Sequence, residues 1–280
     1  MHLGNVFSAM LSWLSIKSKG GKWLLRIEDI DPQRSKSHFA DQIMEDLEWL
    51  GLTWDEGPYY QSQRSAVYEE SLDRLRSQGL LYLSYKTRAE RLAVSAPQET
   101  DSHLRLAPNP SLPEKGTIGG ALTLRVSDTI ITYTDRHYGK QTIDIKNDIG
   151  DFIVRRRDGA WAYQLAVVVD DALMGITEVV RGRDLLQSAG QQIYLGNLLG
   201  FPRMEYAHLP LLCNEAGQRL SKRDKSMDLG MLRQHYSAQE IIGYLAFLAH
   251  LTDKNEPCSP RDLLPLFDWK KVPMEDISVQ

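Results

Sequence analysis

The amino-acid sequence predicts an α/β protein built on a doubly wound parallel sheet with a small insertion. Short apolar runs end abruptly in charged residues, at 23–27 before Glu28 and at 176–180 before Arg181. Segments with a helical spacing of apolar residues separate such runs, as expected when helices cross over between parallel strands. Between residues 80 and 120 the pattern dissolves into Pro, Ser, Thr and charged residues, which indicates an insertion outside the main sheet.

The first part of the chain opens with a helix, whereas an α/β protein normally opens with a strand that the first helix covers. The opening of this sequence is therefore unusual for its predicted fold class. A strand at 23–27 follows a Gly-Gly turn, a second helix has Ser35 or Ser37 as its N-cap and Gly51 as its end, and a third spans 62–78. The apolar face of the first helix consists of Leu3, Phe7, Met10, Leu11 and Leu14.

Strands return after the insertion, and the final part of the chain is mostly helical. A hairpin is expected where a turn ending at Gly159 directs the strand 152–154 back toward Trp161. The sequence thus divides into a sheet domain at 1–200, with its insertion at about 80–120, and a basic loop with helices at 201–280. The other expected elements are strands at 121–126, 130–134, 176–180 and 209–212 and helices at 185–199, 241–248 and 261–267.

Composition restricts the class of protein. The chain has 280 residues, 42% apolar and 25% charged, with a formal net charge of −4, so any contact with nucleic acid must come from local basic clusters. No run approaches the roughly 18 apolar residues that cross a bilayer, and no secretory signal opens the chain, so a cytoplasmic protein is expected. Two cysteines, Cys213 and Cys258, make neither a disulfide framework nor a four-cysteine zinc site.

Three acidic residues follow the first predicted strand: Glu28, Asp29 and Asp31. Ligands bind at the carboxyl ends of strands in open parallel sheets, so these side chains are candidates for a binding site. The alternative is structural, because the same acids could cap the next helix or hold Arg26 and Arg34.

Two further segments have a chemistry that suits phosphate. His2, Gly4 and Asn5 lie on the first turn of a helix, where free N–H groups and the helix dipole favour an anion. Residues 219–223 place three cations on one short loop, which could hold a polyphosphate as pyrophosphate leaves. Taken singly, neither segment predicts phosphate binding. A histidine beside a first methionine usually has no function, and a short basic loop is more often simply solvated.

The pairing of these two segments, with strands and an insertion between them, resembles the signature motifs of class I aminoacyl-tRNA synthetases. The stretches 24–31, 51–58, 163–171, 180–182 and 219–223 are similar to the glutamyl-tRNA synthetase line and occur in the same order. The sequence ends at Gln280 without a helical anticodon-binding part, and its segments 259–264 and 268–273 resemble the truncated paralogues, the glutamyl-queuosine tRNA(Asp) synthetases.

The resemblance implies a Rossmann-type catalytic domain at 1–200, a KMSKS-like loop and a stem-contact-like helical region at 201–280. It implies that the protein activates L-glutamate with ATP, with Mg²⁺ expected, to glutamyl-adenylate, and transfers the glutamyl group to queuosine in the anticodon loop of tRNA(Asp). By position, His2 and Gly4 would stabilise the ATP phosphates, Lys222 the departing pyrophosphate, and Glu28 the glutamate ammonium. Tyr163 and Arg181 would line the amino-acid pocket, and ATP would contact His2, Gly4, Asn5, Arg219, Leu220, Ser221, Lys222 and Arg223.

Alternatives remain for Tyr163, which could belong to the core, and for Arg181, which could form a structural ion pair with Asp170, Asp171 or Asp184. For tRNA, the candidate contacts are the arginines at 155–157 beside Trp161 and the basic residues at 219–225, although an arginine run in a hairpin is often only solvated.

Two departures from the family pattern keep other functions open. The family's first strand, which supplies a substrate-binding arginine, is not found, and where its insertion carries Cys-x-Cys this sequence has Ser84 and no cysteine. Without thiolate ligands we predict no structural zinc. The protein could instead be a truncated glutamyl-tRNA synthetase that charges a tRNA 3′ end, or a catalytically silent tRNA-binding paralogue. A monomer is expected.

Overall fold

The computed structural model describes residues 1–31, 37–85, 119–220 and 227–279. The helices are α1 (Leu3–Lys17), α2 (Ser37–Trp49), α3 (Ser65–Ser77), α4 (Tyr163–Leu173), α5 (Leu186–Leu198), α6 (Leu229–Leu232) and α7 (Ala238–Leu248). The strands are β1 (Leu24–Ile27), β2 (Glu56–Tyr60), β3 (Leu81–Ser84), β4 (Ala121–Leu124), β5 (Ile130–Asp135), β6 (Gly139–Asp144), β7 (Phe152–Arg155), β8 (Glu178–Gly182), β9 (Glu205–Leu209), β10 (Leu212–Cys213) and β11 (Ile277–Ser278).

Parallel strand pairs occur at the two places where the sequence predicts strands of the main sheet. β1 pairs in parallel with β2, and a separate four-stranded sheet has the order β6-β5-β9-β8, in which β8 and β9 are parallel. Within the described residues, β1 and β8 each pair with a strand along one edge only, and no strand pairing joins the two groups. The ends of β1 and β8 carry the residues that the sequence predicts to bind substrate.

A smaller antiparallel sheet lies beside the insertion. Its strand order is β3-β4-β7, so β3 and β4 bracket the segment that the sequence predicts to be inserted. Residues 86–118, which make up most of that segment, lie outside the described residues. The predicted hairpin after β7 is confirmed, because Gly159 has φ +83° and Arg155 bridges to Trp161.

Two apolar clusters stabilise the fold. In the first, the buried face of α1 packs with β1, α2 and the C-terminal helix α7, so residues from both ends of the sequence share one core. The second joins α3, α4 and α5 to β4, β5 and β7. The periodic residues Leu3, Phe7, Met10, Leu11 and Leu14 are all buried, which confirms the helical face read from the sequence. In the described ranges, no helix has the length and apolar character needed to cross a membrane.

Two of the expected elements are wrong. The helix expected at 261–267 is only a short 3₁₀ turn, Leu264–Leu266, because Pro265 has no N–H to donate to a continuing helix. The strand expected at 209–212 is two strands, since β9 ends at Leu209 and β10 begins at Leu212, with Pro210 between them. The end of α2 is as expected, with Gly51 at φ +77°. Of the two N-cap candidates, Ser35 lies outside the described residues and Ser37 begins α2.

Candidate active site

The first turn of α1 brings together two of the predicted phosphate-binding residues. His2 is the N-cap residue, and its backbone N–H donates to Asn5 Oδ1 at 3.4 Å in a capping box. A Cβ placed on Gly4 would lie 3.1 Å from His2 Cε1 and 4.0 Å from Leu220 Cβ. A side chain at position 4 would therefore crowd the imidazole of His2, whereas its Cβ would be in ordinary contact with Leu220.

The segments on both sides of the basic loop lie against this turn. Leu220 is buried, and its N–H donates to the Leu212 carbonyl at 2.9 Å, which closes a hairpin after β10. On the far side of the loop, Asp228 forms a β-bridge with His2. Leu220, at the described start of the second motif, and Asp228, after the loop, are thus neighbours of the first motif. Residues 221–226, including Ser221, Lys222 and Arg223, lie outside the described part of the chain.

Arg219 is directed toward the end of β8. Its guanidinium forms an ion pair with Asp184, three residues after Arg181, while 55% of the Arg219 side chain stays exposed. Asp184 in turn lies against Gly182, because a Cβ on that glycine would be 2.6 Å from Asp184 Oδ1. The hairpin of the basic loop is therefore linked to the strand that carries Arg181.

An arginine with two carboxylate partners lies at the end of β1. Arg26 Nη1 is 2.5 Å from Asp171 Oδ1, and Arg26 Nη2 is 3.2 Å from Glu28 Oε1. Burial raises the pKa of Glu28 and of Asp171, and the Arg26 charge opposes that rise in both. When both acids are ionised, the cluster of Arg26, Glu28 and Asp171 carries a net charge of −1, which favours a cationic ligand group.

Tyr163 lies within electrostatic range of both this acidic cluster and Arg181. It is the first residue of α4, and 38% of its surface is exposed, so it is not a core residue. Burial of its ring raises the pKa of the phenol, the Glu28 charge raises it further, and the Arg181 charge lowers it. Glu28, Tyr163 and Arg181 therefore share one electrostatic environment, although they come from three separate elements.

Arg181 donates hydrogen bonds to three partners, none of which is a carboxylate. Its Nε donates to His208 Nε2 at 3.2 Å, its Nη1 to Gln192 Oε1 at 2.7 Å and its Nη2 to the Leu185 carbonyl at 3.4 Å. The guanidinium also lies over the Tyr206 ring, 5.4 Å from its centroid. Across the described ranges Arg181 forms no ion pair, so none of the three acids proposed as its structural partner contacts it directly.

The neighbouring acids have structural partners. Asp170 is fully buried and accepts hydrogen bonds from Gln61, Arg64 and Tyr68. Asp29 Oδ1 accepts the Ser62 N–H at 2.8 Å. Asp31 pairs with Arg156 at 2.8 Å. Asp29 and Asp31 therefore have structural partners, although these differ from the ones expected from the sequence. Of the three acids after β1, Glu28 is the one that contacts Arg26, as the structural alternative proposed. Arg34 lies outside the described residues.

The predicted RNA-binding arginines differ in how far their charges are already compensated. Arg155 pairs with Glu69 and lies 4.6 Å from the Trp161 ring centroid. Arg156 pairs with Asp31 and Asp158. Arg157 is exposed and, within the described residues, contacts only the Tyr85 carbonyl as a hydrogen-bond donor, at 3.5 Å.

Several residues that organise the site were missed in the sequence. His208 and Asp135 are buried; His208 accepts a hydrogen bond from Arg181, and Asp135 contacts the other nitrogen of the His208 ring. Gln192 contacts Arg181 from α5. Each carried a signal, since His208 interrupts an apolar run, Asp135 follows a predicted strand as Glu28 does, and Gln192 falls within an apolar helix. No cluster of three or more His, Cys, Asp or Glu residues in the described ranges could hold a metal; the prediction of no zinc in the insertion stays a prediction.

Comparison with known proteins identifies the family. Residues 1–272 match the family described as tRNA synthetases class I (E and Q), catalytic domain. The Glutamyl-Q tRNA(Asp) synthetase of Symbiobacterium thermophilum is 42% identical, over 100% of this chain and 92% of that protein. The protein of that name from Nitratidesulfovibrio vulgaris is 42% identical, over 98% of this chain and 90% of its own length.

A solved structure supports the same assignment. The crystal structure of a glutamate tRNA ligase from Elizabethkingia meningosepticum in complex with its amino acid superposes with a TM-score of 0.82 at 28% identity. The match covers all of this chain and 64% of that longer one. The chain therefore belongs to the class I tRNA synthetases of the E and Q group and is a ligase, which confirms the resemblance found in its motifs.

Proposed function

We propose that this ligase uses ATP to activate L-glutamate as glutamyl-adenylate and transfers the glutamyl group to queuosine in the anticodon loop of tRNA(Asp). The observation that carries the activation step is that Tyr163 lies close enough to Glu28 and Arg181 for their charges to shift its pKa in opposite directions. The three side chains would offer an anion, a hydroxyl and a cation to one substrate, in what is called here the proposed cleft. The acceptor is suggested by the names of relatives that align with almost the whole chain.

The cleft matches the charges of glutamate. The net negative cluster of Glu28, Asp171 and Arg26 suits the α-ammonium group. Arg181 keeps its charge available, because its partners are neutral, and its planar guanidinium can bind a carboxylate with two parallel hydrogen bonds. The Tyr163 hydroxyl can donate to a carboxylate oxygen from the first turn of α4.

The nucleotide is proposed to bind where α1 meets the basic loop. Gly4 leaves room beside the His2 ring and Leu220, so His2, Gly4 and Asn5 would approach the phosphates together with Arg219 and residues 221–223. Lys222 would stabilise the pyrophosphate as its charge develops. Mg²⁺ is expected to accompany ATP and to neutralise phosphate charge.

The proposed chemistry needs no covalent bond to the protein. A glutamate carboxylate oxygen attacks the α-phosphorus, the bond to pyrophosphate breaks, and an oxygen of the acceptor then attacks the acyl carbon and releases AMP. The protein contributes orientation of the carboxylate and stabilisation of the departing charge.

The test measures the two half-reactions separately. Glutamate-dependent exchange of pyrophosphate into ATP is expected without tRNA, and radiolabelled glutamate is expected to enter tRNA(Asp) that contains queuosine but not the same tRNA lacking it. Label at the 3′ end of tRNA(Glu) would instead identify a truncated glutamyl-tRNA synthetase, in line with the solved structural relative. Absence of exchange would identify a silent paralogue.

A further inference from the structure

The protonation of His208 follows from its contact with Arg181. A guanidinium has only N–H donors, so the His208 Nε2 that lies 3.2 Å from Arg181 Nε must accept and carries no proton. The ring proton is therefore on Nδ1, which lies 2.6 Å from Asp135 Oδ2 and donates to it. His208 in this geometry is neutral and in a single tautomer.

Asp135 is itself fixed at the end of β5. Its Oδ1 accepts the backbone N–H groups of His137 at 3.0 Å and Tyr138 at 2.9 Å, and the N–H of His208 also points to this carboxylate. Burial alone would raise the pKa of Asp135, but these hydrogen bonds and the His208 ring lower it. The carboxylate thus stays ionised and offers only acceptors, which leaves the His208 ring no alternative tautomer.

A second set of neutral groups continues from Arg181 to the helix of Tyr163. Gln192 Oε1 accepts from Arg181, and Gln192 Nε2 donates to Gln164 Oε1 at 2.7 Å. Gln164 directly follows Tyr163 in α4. The guanidinium is thereby oriented by acceptors that carry no net charge.

We propose that Asp135 and His208, here called the Asp135–His208 dyad, act as positioning residues for Arg181. His208 Nε2 supplies a neutral acceptor that orients Arg181 toward a substrate carboxylate. Because the acceptor is neutral, the charge of Arg181 is not compensated by an ion pair. This inference rests on the proposed function, because it assigns the dyad to glutamate binding. A carboxylate in place of His208 would orient Arg181 equally well but would neutralise it.

Asp135→Asn tests the dyad with almost no change in volume. The three backbone N–H groups retain the amide oxygen, so the amide NH₂ faces His208 Nδ1 and forces the ring proton onto Nε2. The N–H groups of His208 Nε2 and Arg181 Nε, both donors, would then face each other. We expect the KM for glutamate in pyrophosphate exchange to rise at least about tenfold, the equivalent of one charged hydrogen bond, with the KM for ATP within about twofold.

The matched control is Glu178→Gln in β8, the strand that carries Arg181. Glu178 is a buried acid at the start of β8, and its partners are Ser15, Lys19 and Arg136 rather than Arg181. This substitution removes ion pairs from β8 but leaves the guanidinium of Arg181 untouched. A glutamate KM that rises equally in both variants would overturn the proposal.

A double-mutant cycle separates positioning from a general structural role. If the dyad acts through Arg181, Asp135→Asn should raise the glutamate KM in the native protein but not in an Arg181→Gln background. Additive effects of the two substitutions would show that Asp135 acts independently of Arg181 and would contradict the inference.

The tautomer can be read without any activity. In protein labelled with ¹⁵N-histidine, long-range ¹H–¹⁵N spectra of the unsubstituted chain should show the His208 ring, identified by its loss in His208→Gln, protonated on Nδ1 only. Protonation on Nε2 would overturn the dyad even if the enzyme is active. A native protein with the expected tautomer but without glutamate-dependent exchange would instead overturn the proposed function, and with it the dyad's role in glutamate binding.

Discussion

The ends of β1 and β8 present the same residue type in opposite surroundings. At the end of β1, Arg26 has two carboxylate partners, Glu28 and Asp171. At the end of β8, Arg181 has an imidazole nitrogen, an amide oxygen and a backbone carbonyl. Two negative charges therefore more than balance the positive charge of Arg26, whereas no carboxylate in contact balances that of Arg181.

This difference shows that partners, rather than residue type, decide what an arginine at a strand end can bind. The cluster around Arg26 leaves one negative charge beside the cleft, whereas the network around Arg181 leaves one positive charge. Two such ends in one cleft complement an amino acid that carries an ammonium group and carboxylates. Substitutions that equalise the two ends should remove that complementarity.

The largest effect is expected for Arg181→Gln, which removes the positive end. Loss of a charged, partly buried partner for a carboxylate costs about 3 kcal/mol, so kcat/KM for glutamate in pyrophosphate exchange should fall about 100-fold. The KM for ATP should change little, because ATP is proposed to bind at the first turn of α1.

The matched control is Arg183→Gln, two residues along the chain. Arg183 binds Asp276 through two hydrogen bonds on the surface and has no role in the proposed cleft. Its kcat/KM for glutamate should stay within about twofold of the native value, since exposed ion pairs contribute little. Equal losses in both variants would show that the end of β8 responds to any lost charge.

The next largest effect is expected for Glu28→Gln, which weakens the negative end without changing its shape. Replacing a charged acceptor of the ammonium with a neutral one should cost about 2 kcal/mol, or about 30-fold in kcat/KM for glutamate. The same exchange assay measures it, with Asp29→Asn as control, because Asp29 binds Ser62. If Asp29→Asn is the more damaging change, the ammonium site is assigned to the wrong carboxylate.

The pH dependence of Glu28 provides a separate measurement. Burial raises the pKa of Glu28, and only the ionised form attracts an ammonium, so the glutamate KM should rise as the pH falls through that raised pKa. The Glu28→Gln protein should show a weaker dependence, which comes from Asp171, because burial raises the pKa of that carboxyl too. The free energy of unfolding should change in the opposite direction with pH. Because the pKa of Glu28 is raised in the folded protein, ionisation of this carboxyl as the pH rises lowers the stability. In urea unfolding, the native protein should therefore lose stability relative to Glu28→Gln between acid and neutral pH.

Much of this arrangement could be predicted from local sequence. Glu28 and Arg181 each follow an apolar run, so the rule that strand ends bind ligands makes both of them candidates. That rule does not distinguish Glu28 from Asp29 and Asp31, and it was the family resemblance that assigned Glu28 and Arg181 their roles. The helical spacing in α1 likewise predicts its buried face. Such features depend on a few adjacent residues, which is why the order of strands and helices and the candidate binding residues could be named.

The partners of those residues could not be predicted in the same way. The contact of Arg181 with His208 joins β8 to β9, and that of Arg26 with Asp171 joins β1 to α4, across 145 residues. A buried histidine in an apolar run is visible in the sequence, but which charge it faces depends on sheet order. Pro210 and Pro265 were also visible in the sequence. The strand predicted across Pro210 and the helix predicted across Pro265 were wrong because the apolar pattern was given more weight than the prolines.

A smaller effect is expected for Tyr163→Phe, which removes a hydroxyl between the two ends. One neutral hydrogen bond to a substrate carboxylate contributes about 1 kcal/mol, so kcat/KM for glutamate should fall about fivefold. Tyr138→Phe serves as control, because the Tyr138 hydroxyl donates to the Met274 carbonyl, in a contact that involves no proposed substrate-binding residue. No change in the Tyr163→Phe protein would leave the cleft with its two charged ends but without a contribution from this hydroxyl.

The smallest effect is expected where an arginine already has acidic partners, as Arg26 does. Arg156 binds Asp31 and Asp158, whereas the neighbouring Arg157 is exposed and has no ion pair within the described residues. If the hairpin contacts tRNA, Arg157→Gln should lower the salt dependence of tRNA binding by about one phosphate contact, and Arg156→Gln should leave it unchanged. Filter binding over a range of salt concentrations measures both slopes. A larger change for Arg156→Gln would mean that tRNA displaces its acids, and that partners seen in the free protein do not determine which arginines are available.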